Sequence, residues 1–85
     1  MIMKETKVMT RKRMMEALEV EGVTVCGTTR EFGTGGDGIW ISAEDTPSLF
    51  DYWAFGIDSK LEEFVNKNGW YFEWYDAGTM MAYTI

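Results

Sequence analysis

The pattern that most constrains this chain occurs twice. A stretch with helix periodicity ends at Gly22 and a β-type run follows; a second such stretch ends at Gly69 and another β-type run follows. A glycine-bearing turn and a further strand-like segment complete each half, so that Gly22-Val23-Thr24-Val25 corresponds to Gly69-Trp70-Tyr71-Phe72. In the first half, Met14, Ala17, Leu18 and Glu21 recur at helix spacing. Thr10 is placed to cap the start and Gly22 to stop the end. Val23 to Phe32 reads as a strand, 33–38 as a flexible loop, and Ile39 to Ser42 as the returning strand. In the second half, Ser59-Lys60-Leu61-Glu62 has the letters of a capping box and opens a helix to about Asn68. Leu61, Phe64 and Val65 form its apolar face. Trp70 to Tyr75, a turn at Asp76-Ala77-Gly78, and Thr79 to Ile85 make the second hairpin. Between the halves, Thr46-Pro47 offers a cap and a first-turn proline for a short helix from Ser48 to Phe55, closed by Gly56.

These elements predict an α+β fold in one compact domain spanning 1–85. Its order is αββ(α)αββ: a four-stranded antiparallel sheet built from two hairpins, with the helices on one face, which buries both helical stripes. A chain of this size hides only roughly 60–65% of its unfolded surface, so the core must be dense. Four Trp, five Phe, four Tyr and seven Met supply the bulk. Leu18, Val25, Ile39, Ile41, Leu61, Phe64, Val65, Phe72 and Trp74 are the expected core. Within the aromatic run 48–55, Leu49, Phe50, Trp53 and Ile57 can share a buried face, which leaves Tyr52 or Phe55 partly exposed.

Charge is divided along the sequence. Lys4, Lys7, Arg11, Lys12 and Arg13 are five of the eight basic residues, and from Met14 onward three basic residues stand against thirteen acidic ones, a balance of −10. Such a surface repels nucleic acid and anionic membrane and attracts basic proteins. No stretch approaches the roughly 18 apolar residues of a membrane span. Cys26, the one cysteine, forms no internal disulfide, and a secreted domain this small would carry several, so a cytoplasmic location is expected. In the apolar context Val23-Thr24-Val25 its thiol is expected to be buried and inert.

Enzymatic chemistry finds little support. The chain has no histidine, which removes imidazole acid–base catalysis, the histidine-dependent nucleophile systems and most zinc sites. Gly33-Thr34-Gly35-Gly36-Asp37-Gly38 spells G-x-G-x-x-G, but a β-type run follows where a phosphate-binding fingerprint needs a helix. The carboxylate pairs Glu44-Asp45 and Glu62-Glu63 read as solvated helix-terminal charge, and no cofactor or metal is expected. What remains is binding. An aromatic segment ringed by carboxylates suits an arginine-rich partner, through ion pairs and cation–π contacts. The expected contact residues are Glu31, Asp37, Glu44, Asp45, Asp51, Tyr52 and Asp58. In size and charge the chain looks like small acidic bacteriophage proteins that block restriction or CRISPR complexes, although no motif carries that likeness. The expectation is an inhibitor or decoy on the basic surface of a nucleic-acid-binding protein. An immunity or antitoxin protein against a basic nuclease is one alternative. Another is an interaction module or homodimer, because the uncharged segment Thr79 to Ile85 would invite pairing if it lay at a sheet edge.

Overall fold

The computed structural model describes residues 8–51 and 53–85. Elements follow in the order α1 (Arg11–Val20), β1 (Thr24–Thr28), α2 (Thr29–Phe32), β2 (Ile39–Ser42), β3 (Phe50–Asp51), β4 (Gly56–Ile57), α3 (Ser59–Lys67), β5 (Trp70–Asp76) and β6 (Thr79–Thr84). The fold is α+β. Its four-stranded antiparallel sheet has the order β1-β2-β6-β5, so the two hairpins join through their second strands. The short β3–β4 ribbon stands apart from that sheet.

Both repeat-ending glycines do what their position requires. Gly22 and Gly69 have φ of +92° and +86°, the left-handed region that ends a helix with little penalty only for glycine. At the end of α1 the Val23 N–H reaches the Leu18 carbonyl and the Gly22 N–H reaches the Glu19 carbonyl, both at 3.0 Å. Two otherwise orphaned carbonyls are thereby satisfied. Thr10 caps α1 through a hydrogen bond accepted from the Arg13 N–H. Met14 and Leu18 of α1 and Leu61 and Val65 of α3 pack with Ile39, Ile41, Trp70, Phe72, Met80 and Ala82 in one core.

Several expectations are corrected. The strand expected over 23–32 stops at Thr28, because Thr28 and Glu31 form a reciprocal capping box that turns the chain into α2. This one-turn helix, which the expected order lacks, sets Phe32 over the opposite face of the sheet, while α1 and α3 share one face as expected. Phe32 meets Trp40 and Tyr75 edge-on at 5.0 and 4.9 Å, over a buried Met81. The 33–38 loop is tethered rather than flexible. The Thr29 carbonyl accepts from the N–H groups of Gly33, Thr34 and Gly35, and the buried Thr29 hydroxyl accepts from the Gly38 N–H. The helix expected over 48–55 is a single turn at Thr46–Phe50 followed by the ribbon. Asp58, not Ser59, caps α3, its Oδ2 accepting from the Leu61 N–H at 3.0 Å. The terminal strand β6 lies in the middle of the sheet, paired on both sides, so it offers no edge. Val25 packs on the core, so Cys26 faces away from it, and as the extra residue of a bulge between Val25 and Gly27 its thiol is exposed instead of buried. Val25, Phe64 and Trp74 are half-buried, while Met14, Phe50, Trp70 and Met80 fill the centre.

Candidate protein-binding site

The ribbon is the part of the chain that neither αββ half requires. Phe50 anchors it: the side chain is fully buried and meets Phe72 and Trp74 edge-on, with centroids 5.3 and 6.4 Å away. Beyond it, Asp51 Oδ1 accepts from the N–H groups of Trp53 and Ala54 at 3.1 and 3.3 Å. This side-chain-to-backbone turn competes with helix and explains why the 48–55 helix does not form. Phe55 closes the turn with φ of +53°, where a residue bearing a Cβ is destabilised by roughly 1–2 kcal/mol. Trp74 holds it there. The indole Nε1 donates to the Phe55 carbonyl at 3.1 Å, and the two rings lie edge-to-face at 5.3 Å. The outcome is a tip braced by these contacts that presents Trp53, 84% exposed, and Phe55, 56% exposed.

The carboxylates sort by strand direction. The four-residue β2 separates Asp37 from Glu44 by roughly 13 Å or more at about 3.3 Å per residue. Glu44 and Asp45 follow β2 at the end where the β5–β6 turn lies, since Ala43 N–H bonds the Gly78 carbonyl and the Glu44 carboxylate packs beside Gly78. Asp51 sits in the ribbon, Asp58 at the start of α3, and Asp76 at the end of β5, all at this same end. Glu31 and Asp37 lie at the other end. Glu31 is engaged in the α2 capping box, and Asp37 accepts ion pairs from Arg11 at 3.8 Å and Arg30 at 3.6 Å. Those are the ion pairs among the described residues. Four of the expected contact residues, Glu44, Asp45, Asp51 and Asp58, are therefore gathered at the ribbon end, and Glu31 and Asp37 are not. Tyr52 lies outside the described residues. Trp53, expected in the core, is a surface residue, and Asp76 joins the site unanticipated. The signal that could have placed Trp53 was Asp51 followed by Gly56, a turn-former and a turn-closer five residues apart.

Of the thirteen acidic residues from Met14 onward, eleven are exposed, with Asp58 and Glu62 half-buried. Near the ribbon end the Cys26 thiol is pushed up from its ordinary pKa, first by partial burial and then by the Asp45 charge, against a backbone hydrogen bond from Ser42 that lowers it. Among the described residues no cluster of three or more cysteine, aspartate or glutamate side chains could hold a metal ion. No helix there is long and apolar enough to cross a membrane. An exposed aromatic pair at the same end of the molecule as several carboxylates can make apolar, cation–π and charge-assisted contacts at once. Comparison of the chain with protein-family models, with curated proteins and with solved structures gives no match.

Proposed function

We propose that this protein is an acidic inhibitor that seats its ribbon tip on the basic surface of a nucleic-acid-binding protein and displaces the nucleic acid. The observation that carries this reading is Trp53 and Phe55 exposed on a strained, braced turn at the end of the molecule that also holds Glu44, Asp45, Asp51, Asp58 and Asp76. Backbone strain that surrounding structure maintains is a pointer to function. Tryptophan and its arginine counterparts dominate binding hot spots, and carboxylates at the same end of the molecule draw a basic surface to the anchor. The same carboxylates can take the place of phosphates opposite the partner's Lys and Arg side chains. An inhibitor of CRISPR or restriction complexes and an antitoxin against a basic nuclease both satisfy this description. Neither asks this chain to perform catalysis.

The test is competition binding on a partner captured by the wild-type protein, repeated across a salt series. Trp53→Ala is expected to weaken binding by about 2 kcal/mol or more while melting stays unchanged. Nucleic acid is expected to compete, and affinity to fall as salt rises, because exposed charges are screened over about 10 Å at 0.1 M ionic strength. A partner that holds this protein and nucleic acid together, with no salt dependence, would replace the inhibitor by a plain interaction module.

A further inference from the structure

We infer that the edge of β5, unpaired among the described residues, accepts an extended, basic segment of the partner as a fifth, antiparallel strand, with an Arg or Lys of that segment opposite Glu73. This rests on the partner being basic, but it uses a different surface from the ribbon tip.

Among the described residues the sheet has two edges, β1 and β5. β1 is five residues long and its ladder is broken by the bulge at Cys26, which blunts pairing. β5 is seven residues long and keeps regular register from Trp70 to Trp74. Its alternation is fixed by one bond: the Ile85 N–H reaches the Gly69 carbonyl at 2.9 Å, in line with the β5–β6 register. Gly69, Tyr71 and Glu73 thus turn their backbone groups toward β6, whereas Trp70, Phe72 and Trp74 turn theirs outward. A guest strand would exchange both hydrogen bonds with Phe72. The guest residue opposite Glu73 would then occupy a non-hydrogen-bonded pair, where Cα atoms lie about 4.5 Å apart and side chains meet most closely.

The side chains above that edge fit a cation. Tyr71, Glu73 and Tyr75 are exposed on the same face, opposite the helical core. Tyr71 is braced by Tyr83 at 5.9 Å and Tyr75 by Phe32 at 4.9 Å, so both rings are positioned in advance. A guanidinium paired with Glu73 would lie between two aromatic rings, which adds cation–π attraction to the ion pair. A second copy of this chain is disfavoured at the same edge. Self-pairing centred on the strand sets Glu73 against Glu73, and each copy carries a net charge of −6.

The probe is the capped pentapeptide Val-Thr-Arg-Thr-Val, titrated into the isotope-labelled protein and followed by NMR. The amide of Phe72 is expected to exchange with solvent at least about tenfold more slowly at saturation, while those of Tyr71 and Glu73, already bonded to β6, stay unchanged. The same peptide with Glu in place of Arg is expected to bind wild type about tenfold more weakly, equivalent to about 1.4 kcal/mol, and Glu73→Arg to reverse that order. N-methylation of the peptide residue facing Phe72 is expected to abolish binding. No binding at any soluble peptide concentration, equal affinity for both peptides, or an unprotected Phe72 amide each overturns the inference. Concentration-dependent protection of Phe72 without peptide would make a second copy the occupant and overturn it too. Trp53→Ala should leave peptide binding intact, so failure at the edge and failure of the ribbon reading are read separately.

Discussion

Gly38 has no room for a side chain. A Cβ built there falls 2.7 Å from the Ala82 carbonyl oxygen and 2.6 Å from the Tyr83 ring, and the carbonyl belongs to a central strand that cannot withdraw. Gly38→Ala should destabilise the protein by about 1–3 kcal/mol in urea unfolding, through overpacking alone. Cys26 makes a different point. The thiol is reachable, yet burial of part of its surface and the Asp45 charge both oppose ionisation, so accessibility and reactivity part company. Removing that charge lowers the thiol pKa and enlarges the thiolate fraction at a given pH. Asp45→Asn should therefore speed alkylation near pH 8, with the rate at high pH, where the thiol is fully ionised, left unchanged. The apolar neighbours of Cys26 mislead about its surroundings: Val25 packs on the core, so alternation already turns Cys26 to the other side, where the bulge leaves it without a residue opposite on β2.

At the scale of elements, α1 is charged against its own dipole. Arg11, Lys12 and Arg13 occupy its first turn, no acidic residue lies there, and Glu19 and Glu21 crowd its other end. Each misplaced charge costs about 0.3–1 kcal/mol. Lys12→Glu should raise stability by about 0.5 kcal/mol in thermal unfolding, once a new repulsion with Glu16 one turn away is set against the gain. The ribbon depends on one side chain. Phe50→Ala removes a fully buried ring at its contact with Phe72 and Trp74, and should destabilise by about 3–5 kcal/mol, whereas Trp53→Ala changes unfolding by no more than about 0.5 kcal/mol. Helices α1 and α3 were legible from Leu18, Leu61 and Val65 together with Gly22 and Gly69, because period and stop signal agree there, whereas α2 was hidden in a segment that reads as strand. The ribbon was not. Its aromatic density resembles a helix face, and the Asp51 turn that decides otherwise is a hydrogen-bond preference rather than a periodicity.

In the whole molecule the two αββ halves meet through β2 and β6 in an approximate twofold arrangement, with α1 beside β1 and α3 beside β5. The repeated glycine pattern made the two halves readable before any geometry. That β6 would lie inside the sheet was less so: pairing order between hairpins depends on which faces the helices must cover, and the sequence of β6 permits either position. The acidic site was half legible for a related reason. Glu44, Asp45, Asp51 and Asp58 are near one another in sequence and converge, whereas Glu31 and Asp37 sit beyond β2 and the strand carries them away. Antiparallel connections have also sorted the charges. Among the described residues Arg11, Lys12, Arg13, Arg30 and Lys67 outnumber Glu31 and Asp37 at one end of the sheet, while at the other Lys60 alone accompanies Glu44, Asp45, Asp51, Asp58 and Asp76. A body charged in this way experiences a torque as well as a pull. In the field of a positively charged surface it turns its acidic end, and with it the Trp53 tip, forward, so the rotational search narrows before the first contact is made.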